Sequence, residues 1–292
     1  MAEKDISEKI LLNINEVFAD VVNVLMFGGK ERIQPEALDD KLVHAQYKAE
    51  DGVLHEEERD VFKKVWADRE CGIELALCGL ENQTTPYKFM PARVIGYDGA
   101  SYREQLLDKN VRKIIPVITI VLNFGMKRWN EPKNLKELFG KIDPEVEPFV
   151  NDYKIHVYDI AWLTDGEVDG FKSDFGRVAR FFCGQRKHGK DYRPDDLTEI
   201  VYVDAVLKLL TALTGDRRYE VVAEKSEVKT MCDVAERLEQ VGIEKGREEE
   251  RREILELFRW LSVRGRNDDI PKAVESEDFL NALYEEFYRS KA

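Results

Sequence analysis

Apolar residues near the start of the chain recur at helical spacing. In residues 6–27, "ISEKILLNINEVFADVVNVLMF", they form one face of a helix, and two glycines follow directly at 28 and 29. Glycine is the usual residue just past a helix C-terminus, because it adopts a left-handed backbone without strain. The pattern predicts one amphipathic helix over residues 6–27.

The spacing changes in residues 41–83. Short apolar runs are separated there by "EDG" at 50–52 and "ADRECG" at 67–72, which supply turn residues. This pattern predicts three strands joined by two turns. The middle strand contains "DVFKKVW", and the last strand is the apolar run "IELALCGL" with the polar ending "ENQ".

The next segments predict a helix and two strands. Residues 90–109 favour a helix, although Gly96 and Gly99 weaken the pattern. Residues 113–125, "KIIPVITIVLNFG", are almost continuously apolar, which indicates a strand buried on both faces. Residues 153–160, "YKIHVYDI", alternate and predict another strand. Together these elements predict a mixed central sheet with helices on both sides, an α/β fold.

Strand patterns fade after residue 165. Three helical segments and a final helix after Pro271 follow, and the third segment carries the charged run "EKGREEERRE". We therefore predict two domains, a sheet-containing core over residues 1–165 and a helical C-terminal region over residues 166–292. A charged run of this kind is typical of a solvated helix or of a coiled-coil face, so the helices could also mediate self-association.

Composition limits the class of protein. The chain has 292 residues, of which 43% are hydrophobic, and this suits a globular protein. It contains no apolar stretch of membrane-spanning length and no signal-peptide pattern, so a cytoplasmic location is expected. Its four cysteines show no CxxC pair and suggest neither a zinc site nor a disulfide framework: Cys71, Cys78, Cys183 and Cys232. The net charge of −13 gives no general attraction to nucleic acid, although a local basic surface could still bind it.

Polar residues at two strand ends are the candidates for chemistry. Glu81 and Gln83 share a face of one strand, while Asn82 points to the other. Asp60 stands at the start of the preceding strand, so the carboxylates of Asp60 and Glu81 could face one small gap. Two close carboxylates repel each other unless a proton or cation intervenes, and Mg²⁺ prefers oxygen ligands. The alternative is that these residues simply begin and end strands in contact with water.

Other candidates are less specific. Arg93, in the helix after Glu81, could bind a phosphate or pair with the acidic strand end. Asp20 could reach the site from the first helix or could be a polar position on that helix. Lys127 and Arg128, beside Trp129, could contact a nucleic-acid backbone or lie in an ordinary surface loop. The four histidines lack metal-binding spacing, and the chain contains no GxSxG, P-loop or GxGxxG motif.

Three segments in order resemble one known family. They are "ERDVFKK", "LCGLENQTTPYKFMPARVIGYD" and "KIIPVITIVLNFGMKRW". The combination resembles the recombination-promoting nuclease/putative transposase family of the PD-(D/E)XK nuclease superfamily, over about residues 15–165. The resemblance implies a PD-(D/E)XK nuclease-like core, whose helix, three strands, helix and strand agree with the periodicity. The sequence departs from the family pattern at Thr84, where Ser is common, and at Gly99, which puts the geometry of Tyr97 and Tyr102 in doubt.

The resemblance also implies roles. Asp60 and Glu81 would hold Mg²⁺, or Mn²⁺ in its place, with the backbone carbonyl of Asn82 and, as a further candidate, Asp20. Gln83 takes the position of the motif lysine and would orient the attacking water, and Arg93 would hold a phosphate. The implied function is a metal-dependent DNA endonuclease linked to recombination or mobile elements. The alternative is a DNA- or protein-binding module of the same fold that cleaves poorly, which the missing lysine and the acidic charge favour.

Overall fold

The computed structural model describes residues 9–41, 44–48, 54–58, 60–68, 70, 73–107, 109, 111–189, 192–225 and 227–291. The strands in these ranges are β1 (Leu38–Asp40), β2 (His44–Lys48), β3 (Leu54–Glu58), β4 (Val61–Asp68), β5 (Ile73–Gln83), β6 (Val117–Asn123) and β7 (His156–Asp159). The predicted turn at 50–52 and Cys71 lie outside the described residues.

The helices in the same ranges are also numbered in chain order. They are α1 (Asn15–Phe27), α2 (Met90–Leu107), α3 (Asp165–Asp169), α4 (Phe175–His188), α5 (Val203–Thr214), α6 (Arg218–Lys225), α7 (Met231–Val263), α8 (Asp269–Glu275) and α9 (Glu277–Lys291). Short 3₁₀ turns cover Pro35–Ala37, Lys136–Leu138, Glu147–Phe149 and Ile160–Trp162. None of the helices in the described ranges is long and apolar enough to cross a membrane.

A five-stranded mixed sheet lies at the centre of the fold. Its strand order is β1-β4-β5-β6-β7. The β1–β4 and β4–β5 pairs are antiparallel, whereas the β5–β6 and β6–β7 pairs are parallel. The predicted class is confirmed: a mixed α/β fold with a central sheet, flanking helices and a helical C-terminal region.

The prediction of three strands in residues 41–83 was wrong in number and in grouping, because the predicted middle strand is divided into β3 and β4. Among the described residues, β2 and β3 form a separate two-stranded sheet, whereas β4 and β5 belong to the main sheet. The main sheet gains β1 instead, a three-residue strand that pairs Leu38 with Val65. Alternation along one segment reports the face of each residue, but it carries no information on which strands pair.

The predicted helix over residues 6–27 is interrupted: residues 9–12 are helical and residues 13 and 14 are not, while residues 6–8 lie outside the described residues. It ends as expected, since Gly28 has φ 61° and Gly29 has φ 83°. The long helix α1 begins only at Asn15, because Ile14 has an extended backbone with ψ 125°. The side chain of Asn15 donates to the carbonyl of Leu38 at 3.3 Å. That tertiary bond and the low helix propensity of Asn and Ile explain the break.

The helix predicted over residues 90–109 is present over Met90–Leu107, whereas the predicted last helix is divided. Helix α2 runs without a break through Gly96 and Gly99, so the doubt about Tyr97 and Tyr102 is removed at the level of the backbone. The predicted last helix is divided at Ser276, whose backbone is extended at ψ 114°. The Ser276 hydroxyl accepts the backbone N–H of Phe279 at 3.3 Å, as an N-cap residue does.

A lysine is buried where β4 crosses α1. Lys63 is 0% exposed, and its Nζ donates to Oδ1 of Asn15 at 2.8 Å and to the carboxylate of Asp40. The same Nζ lies 5.7 Å from the centre of the Phe18 ring. Lys63 of β4 therefore connects α1 to β1, on the sheet face opposite the one that α2 covers.

The chain divides into two compact units, Met1–Ala235 and Glu236–Ala292. The second unit has its own apolar cluster, formed by Leu257, Leu261, Ala273, Leu283 and Phe287. In the first unit, Phe124 at the end of β6 packs against Phe175 and Phe182 of α4, with ring centres 6.2 and 5.2 Å apart. The predicted division into residues 1–165 and 166–292 stays a prediction.

Candidate functional site

The start of β4 and the end of β5 meet at one edge of the sheet, because the two strands are antiparallel. Their register pairs Val61 with Leu80. Continued by one residue, this register places Asp60 opposite Glu81. Opposite residues of an antiparallel pair lie on one face, with Cβ atoms roughly 5 Å apart. The two acidic side chains therefore share a face, while their roles stay predictions.

Asp60 is held by the backbone of the neighbouring strand. Its Oδ2 accepts the N–H of Asn82 at 2.6 Å. This bond fixes the carboxylate beside β5, so one of its oxygens is oriented in the folded chain. The predicted metal ligand of Asn82 is its backbone carbonyl oxygen, which is a different group from the N–H that Asp60 accepts.

The Asn82 side chain is a second polar feature of this strand end. It is 7% exposed, and within the described residues neither its nitrogen nor its oxygen has a hydrogen-bond partner. Burying an amide in this way costs about 1–3 kcal/mol. The end of β5 is thus polar on both faces, with Glu81 and Gln83 on one and Asn82 on the other.

Glu81 is buried under α2. It is paired in register with Val121 of β6, and Val121 packs in one apolar cluster with Met90 and Val94 of α2. The carboxylate is 0% exposed, so a positive charge nearby is needed to offset its desolvation. Nη2 of Arg93 lies 3.8 Å from its Oε2.

Arg93 connects the two acids electrostatically. Its Nε donates to the hydroxyl of Tyr97 at 2.6 Å, one helical turn away. Burial lowers the pKa of Arg93, but Glu81, Tyr97 and Asp60 together raise the pKa above its usual value. Of the two alternatives for this residue, the ion pair with the acidic strand end is present, and the phosphate contact stays a prediction.

A row of polar residues closes the same edge of the sheet. Gln83, Asn123 and Asp159 are in register at the ends of β5, β6 and β7. Nδ2 of Asn123 donates to Oδ1 of Asp159 at 2.7 Å, and that oxygen also accepts the N–H of Trp129 at 2.9 Å. Asn123 and Asp159 were not predicted as site neighbours, although each is the polar residue that ends an apolar strand.

The loops after β5 and β6 touch at Gly125. A Cβ added there would lie 2.7 Å from the carbonyl oxygen of Thr84 and 3.0 Å from Oδ1 of Asn123. These distances leave no room for a side chain. The backbone of one loop therefore packs directly on the backbone of the other.

Gly125→Ala should destabilise the fold by about 1–3 kcal/mol, as overpacking of a close contact usually does. Urea unfolding measures this. The matched control is Gly99→Ala, because a Cβ there meets nothing within 4 Å and Ala is the better helix former. Equal stability of Gly125→Ala and the wild type would contradict the close contact.

Asp20 is engaged elsewhere in the first unit. Its Oδ2 accepts the backbone N–H groups of Lys172 and Ser173 at 3.0 and 2.8 Å, and the hydroxyl of Ser173 at 2.6 Å. These bonds connect α1 to the segment before α4. They give Asp20 a structural role, and its metal role stays a prediction.

The basic loop after β6 is divided between surface and core. Lys127 and Arg128 are exposed, whereas Trp129 is 6% exposed and packs in the cluster under α2. The guanidinium of Arg128 lies over the ring of Trp162, 4.8 Å from its centre. The predicted surface loop therefore includes the two cations but excludes Trp129.

The acids of this edge do not make a closed metal site by themselves. Throughout the described ranges, no group of three or more His, Cys, Asp and Glu residues could hold a metal ion. An ion at Asp60 and Glu81 would need further oxygen ligands from backbone, water or substrate. Mg²⁺ binds in this way, through one or two carboxylates together with waters and phosphates.

One model of a known protein family matches the segment that contains most of these residues. Residues 60–174 match the family model described as "Putative transposase, YhgA-like". The sequence resemblance to a putative transposase family is thereby confirmed. No curated protein and no solved structure matches the chain.

The matched segment, residues 60–174, covers most of the candidate site. It begins at Asp60 and includes Glu81, Gln83 and Arg93. It also includes β4, α2, β6 and β7, but it excludes α1. Asp20 consequently lies outside the matched segment, which starts later than the expected residue 15 and ends later than the expected residue 165.

Proposed function

We propose that the chain is a metal-dependent DNA endonuclease that hydrolyses phosphodiester bonds. The observation that carries the proposal is the placement of Asp60 opposite Glu81 at one sheet edge, with Arg93 near both. The match to a model of putative transposases supports action on DNA in recombination or mobile-element movement.

The donor set fits Mg²⁺, with Mn²⁺ as a substitute. Asp60, Glu81 and the Asn82 carbonyl are hard oxygen ligands on adjacent strands, and the remaining positions would fall to water and DNA. When bound, such an ion supplies positive charge to the phosphate and makes a coordinated water more acidic. Because burial disfavours a charged carboxylate, a cation beside Glu81 would favour the ionised form of this acid.

The other residues act on water and phosphate. Gln83 lies on the face of Glu81, two residues further along β5, where its amide would orient the attacking water by a hydrogen bond. Arg93, 39% exposed at its side chain, would hold the scissile or an adjacent phosphate. In-line attack on the phosphorus would then leave a 3′-hydroxyl end.

Nicking of supercoiled plasmid tests the proposal. We expect cleavage with Mg²⁺ or Mn²⁺ and none with EDTA. If folded protein cleaves nothing with either ion at low salt, the endonuclease proposal is wrong. DNA binding without cleavage would favour a binding module of the same fold, in line with Gln83 at the position of the motif lysine.

Arg93→Met should lower the melting temperature in EDTA, because Glu81 then loses a nearby positive charge in a buried position. Added Mg²⁺ should raise the melting temperature more in this variant than in the wild type, since the ion no longer competes with the guanidinium. Thermal unfolding with and without Mg²⁺ measures both effects. Arg103→Met, at an exposed position of α2, is the control. Equal Mg²⁺ shifts in wild type and Arg93→Met would contradict competition for the carboxylate.

A further inference from the structure

The chain segments that follow β5, β6 and β7 carry aromatic and cationic side chains, and they leave the sheet at the strand ends where Glu81 lies. Parallel strands have their carboxyl ends at one sheet edge, so these segments leave the sheet on the same side. The first contributes Tyr87, Lys88 and Phe89. The others contribute Met126, Lys127, Arg128 and Trp162.

Tyr87 and Phe89 form an exposed aromatic pair directly after the candidate site. They are 44% and 50% exposed, and their rings meet edge to face with centres 6.0 Å apart. Nζ of Lys88 lies 5.6 Å from the centre of the Phe89 ring. The pair thus combines flat apolar surface with a positive charge, a short distance along the chain from Glu81.

The second segment continues this surface. Thr84 of the first loop touches Gly125 of the second, and Met126 beside it is 38% exposed. The Met126 carbonyl accepts the indole N–H of Trp162 at 3.2 Å. This bond joins the segments after β6 and β7, and the approach of Thr84 to Gly125 joins the segment after β5 to them.

Two arginines lie against Trp162. The guanidinium of Arg128 is 4.8 Å from the ring centre, and that of Arg186 is 4.3 Å from it. Nε of Arg186 also donates to the carbonyl of Ala161 at 2.6 Å, which fixes its position. Arg128 and Arg186 therefore form a local cluster of positive charge against Trp162, although the net charge of the chain is −13.

We propose that this strand-end surface binds DNA through unpaired bases, so that the preferred substrate is single-stranded or locally opened DNA. The proposal rests on the proposed function and specifies its substrate class. Exposed aromatic rings accept stacked bases of any sequence, and nearby Lys and Arg neutralise the phosphates of the same strand. Bases within a duplex are already stacked and do not offer their faces to such rings.

Binding measured in EDTA tests the inference apart from cleavage. Fluorescence anisotropy should show tighter binding of labelled oligothymidylate than of a fully paired hairpin of equal length. Tyr87→Ala/Phe89→Ala should weaken oligothymidylate binding at least about fivefold, since stacking contributes about 1–3 kcal/mol per base. The control is Phe139→Ala/Phe149→Ala, which removes two other exposed rings, 49% and 84% exposed. Circular dichroism establishes that each variant is folded.

The contribution of Lys127 and Arg128 is measured separately, through the salt dependence of DNA binding. Lys127→Gln/Arg128→Gln should reduce the slope of log K against log salt by about 1.4, or about 0.7 for each lost phosphate contact on a single strand. Lys30→Gln, at another exposed lysine, should leave the slope unchanged. An unchanged slope in Lys127→Gln/Arg128→Gln would remove these two cations from the proposed surface.

The outcomes separate this inference from the endonuclease proposal. Binding that depends on Tyr87 and Phe89, in protein that never cleaves, would overturn the nuclease and support this surface. Cleavage of fully paired DNA with no preference for single strands, and no effect of Tyr87→Ala/Phe89→Ala, would overturn this surface and leave the nuclease standing. An equal loss of oligothymidylate binding in the Phe139→Ala/Phe149→Ala control would also overturn the proposed surface.

Discussion

Asp60→Asn and Glu81→Gln should each reduce Mg²⁺-dependent plasmid nicking at least about 100-fold, the loss typical of removing one group that stabilises transition-state charge. Both changes keep the size of the side chain and remove its charge. The amide introduced by Asp60→Asn would still offer an oxygen to the Asn82 N–H, which Asp60 accepts at 2.6 Å in the native chain. The loss would therefore report the missing negative charge rather than a broken strand pair.

A buried acid elsewhere in the first unit is the matched control. Asp174 is 4% exposed and accepts the backbone N–H groups of Val201 and Tyr202 at 3.1 and 2.6 Å. Asp174→Asn should lower stability and leave cleavage by the folded fraction unchanged. If nicking survives Asp60→Asn and Glu81→Gln together, the activity belongs to another site or a contaminant, and the assignment is wrong.

Lys63→Ala should lower the free energy of unfolding by about 2–5 kcal/mol, as large-to-small changes in a core do. Lys63 is completely buried, so truncation removes three carbons of its stem together with the ammonium group and leaves a cavity between α1 and the sheet. It also removes the bonds to Asn15 and Asp40. Urea unfolding measures the loss.

Lys63→Met separates packing from charge. Methionine keeps most of the volume, and it removes a buried ammonium whose desolvation opposes folding. Because the Asp40 side chain is 67% exposed, its carboxylate stays hydrated without the lysine. We expect a change within about 1.5 kcal/mol of the wild type. A loss as large as that of Lys63→Ala would mean that the bonds of Nζ, rather than the stem, hold α1 in place.

Local patterns in the sequence predicted the elements that build the site. The continuous apolar run before residue 123 marked β6, and the polar ending "ENQ" marked the end of β5. Both depend only on neighbours in sequence, as does the stop of α1 at Gly28. The identity of Asp60 and Glu81 as candidates came from the same strand ends and from the family resemblance.

Pairing and side-chain partners could be predicted only in part. The succession of strands placed Asp60 and Glu81 at one gap, but their positions opposite each other depend on the register between β4 and β5, a relation between separate segments. The break before Asn15 depends on its bond to Leu38, and β2 and β3 were placed in the wrong sheet for the same reason. Propensity and periodicity describe one segment at a time, so tertiary hydrogen bonds and strand order lie beyond them.

The contact between Gly125 and Thr84 couples the two loops mechanically. A methyl group added at Gly125 would lie 2.7 Å from the Thr84 carbonyl oxygen, so the two backbones are already close. Movement of the loop after β5 toward Gly125 would therefore push on the loop after β6, because close packing leaves little free space between them. A DNA strand bound to the first loop, as proposed above, would then also change the affinity of the second loop, and this coupling would be reciprocal.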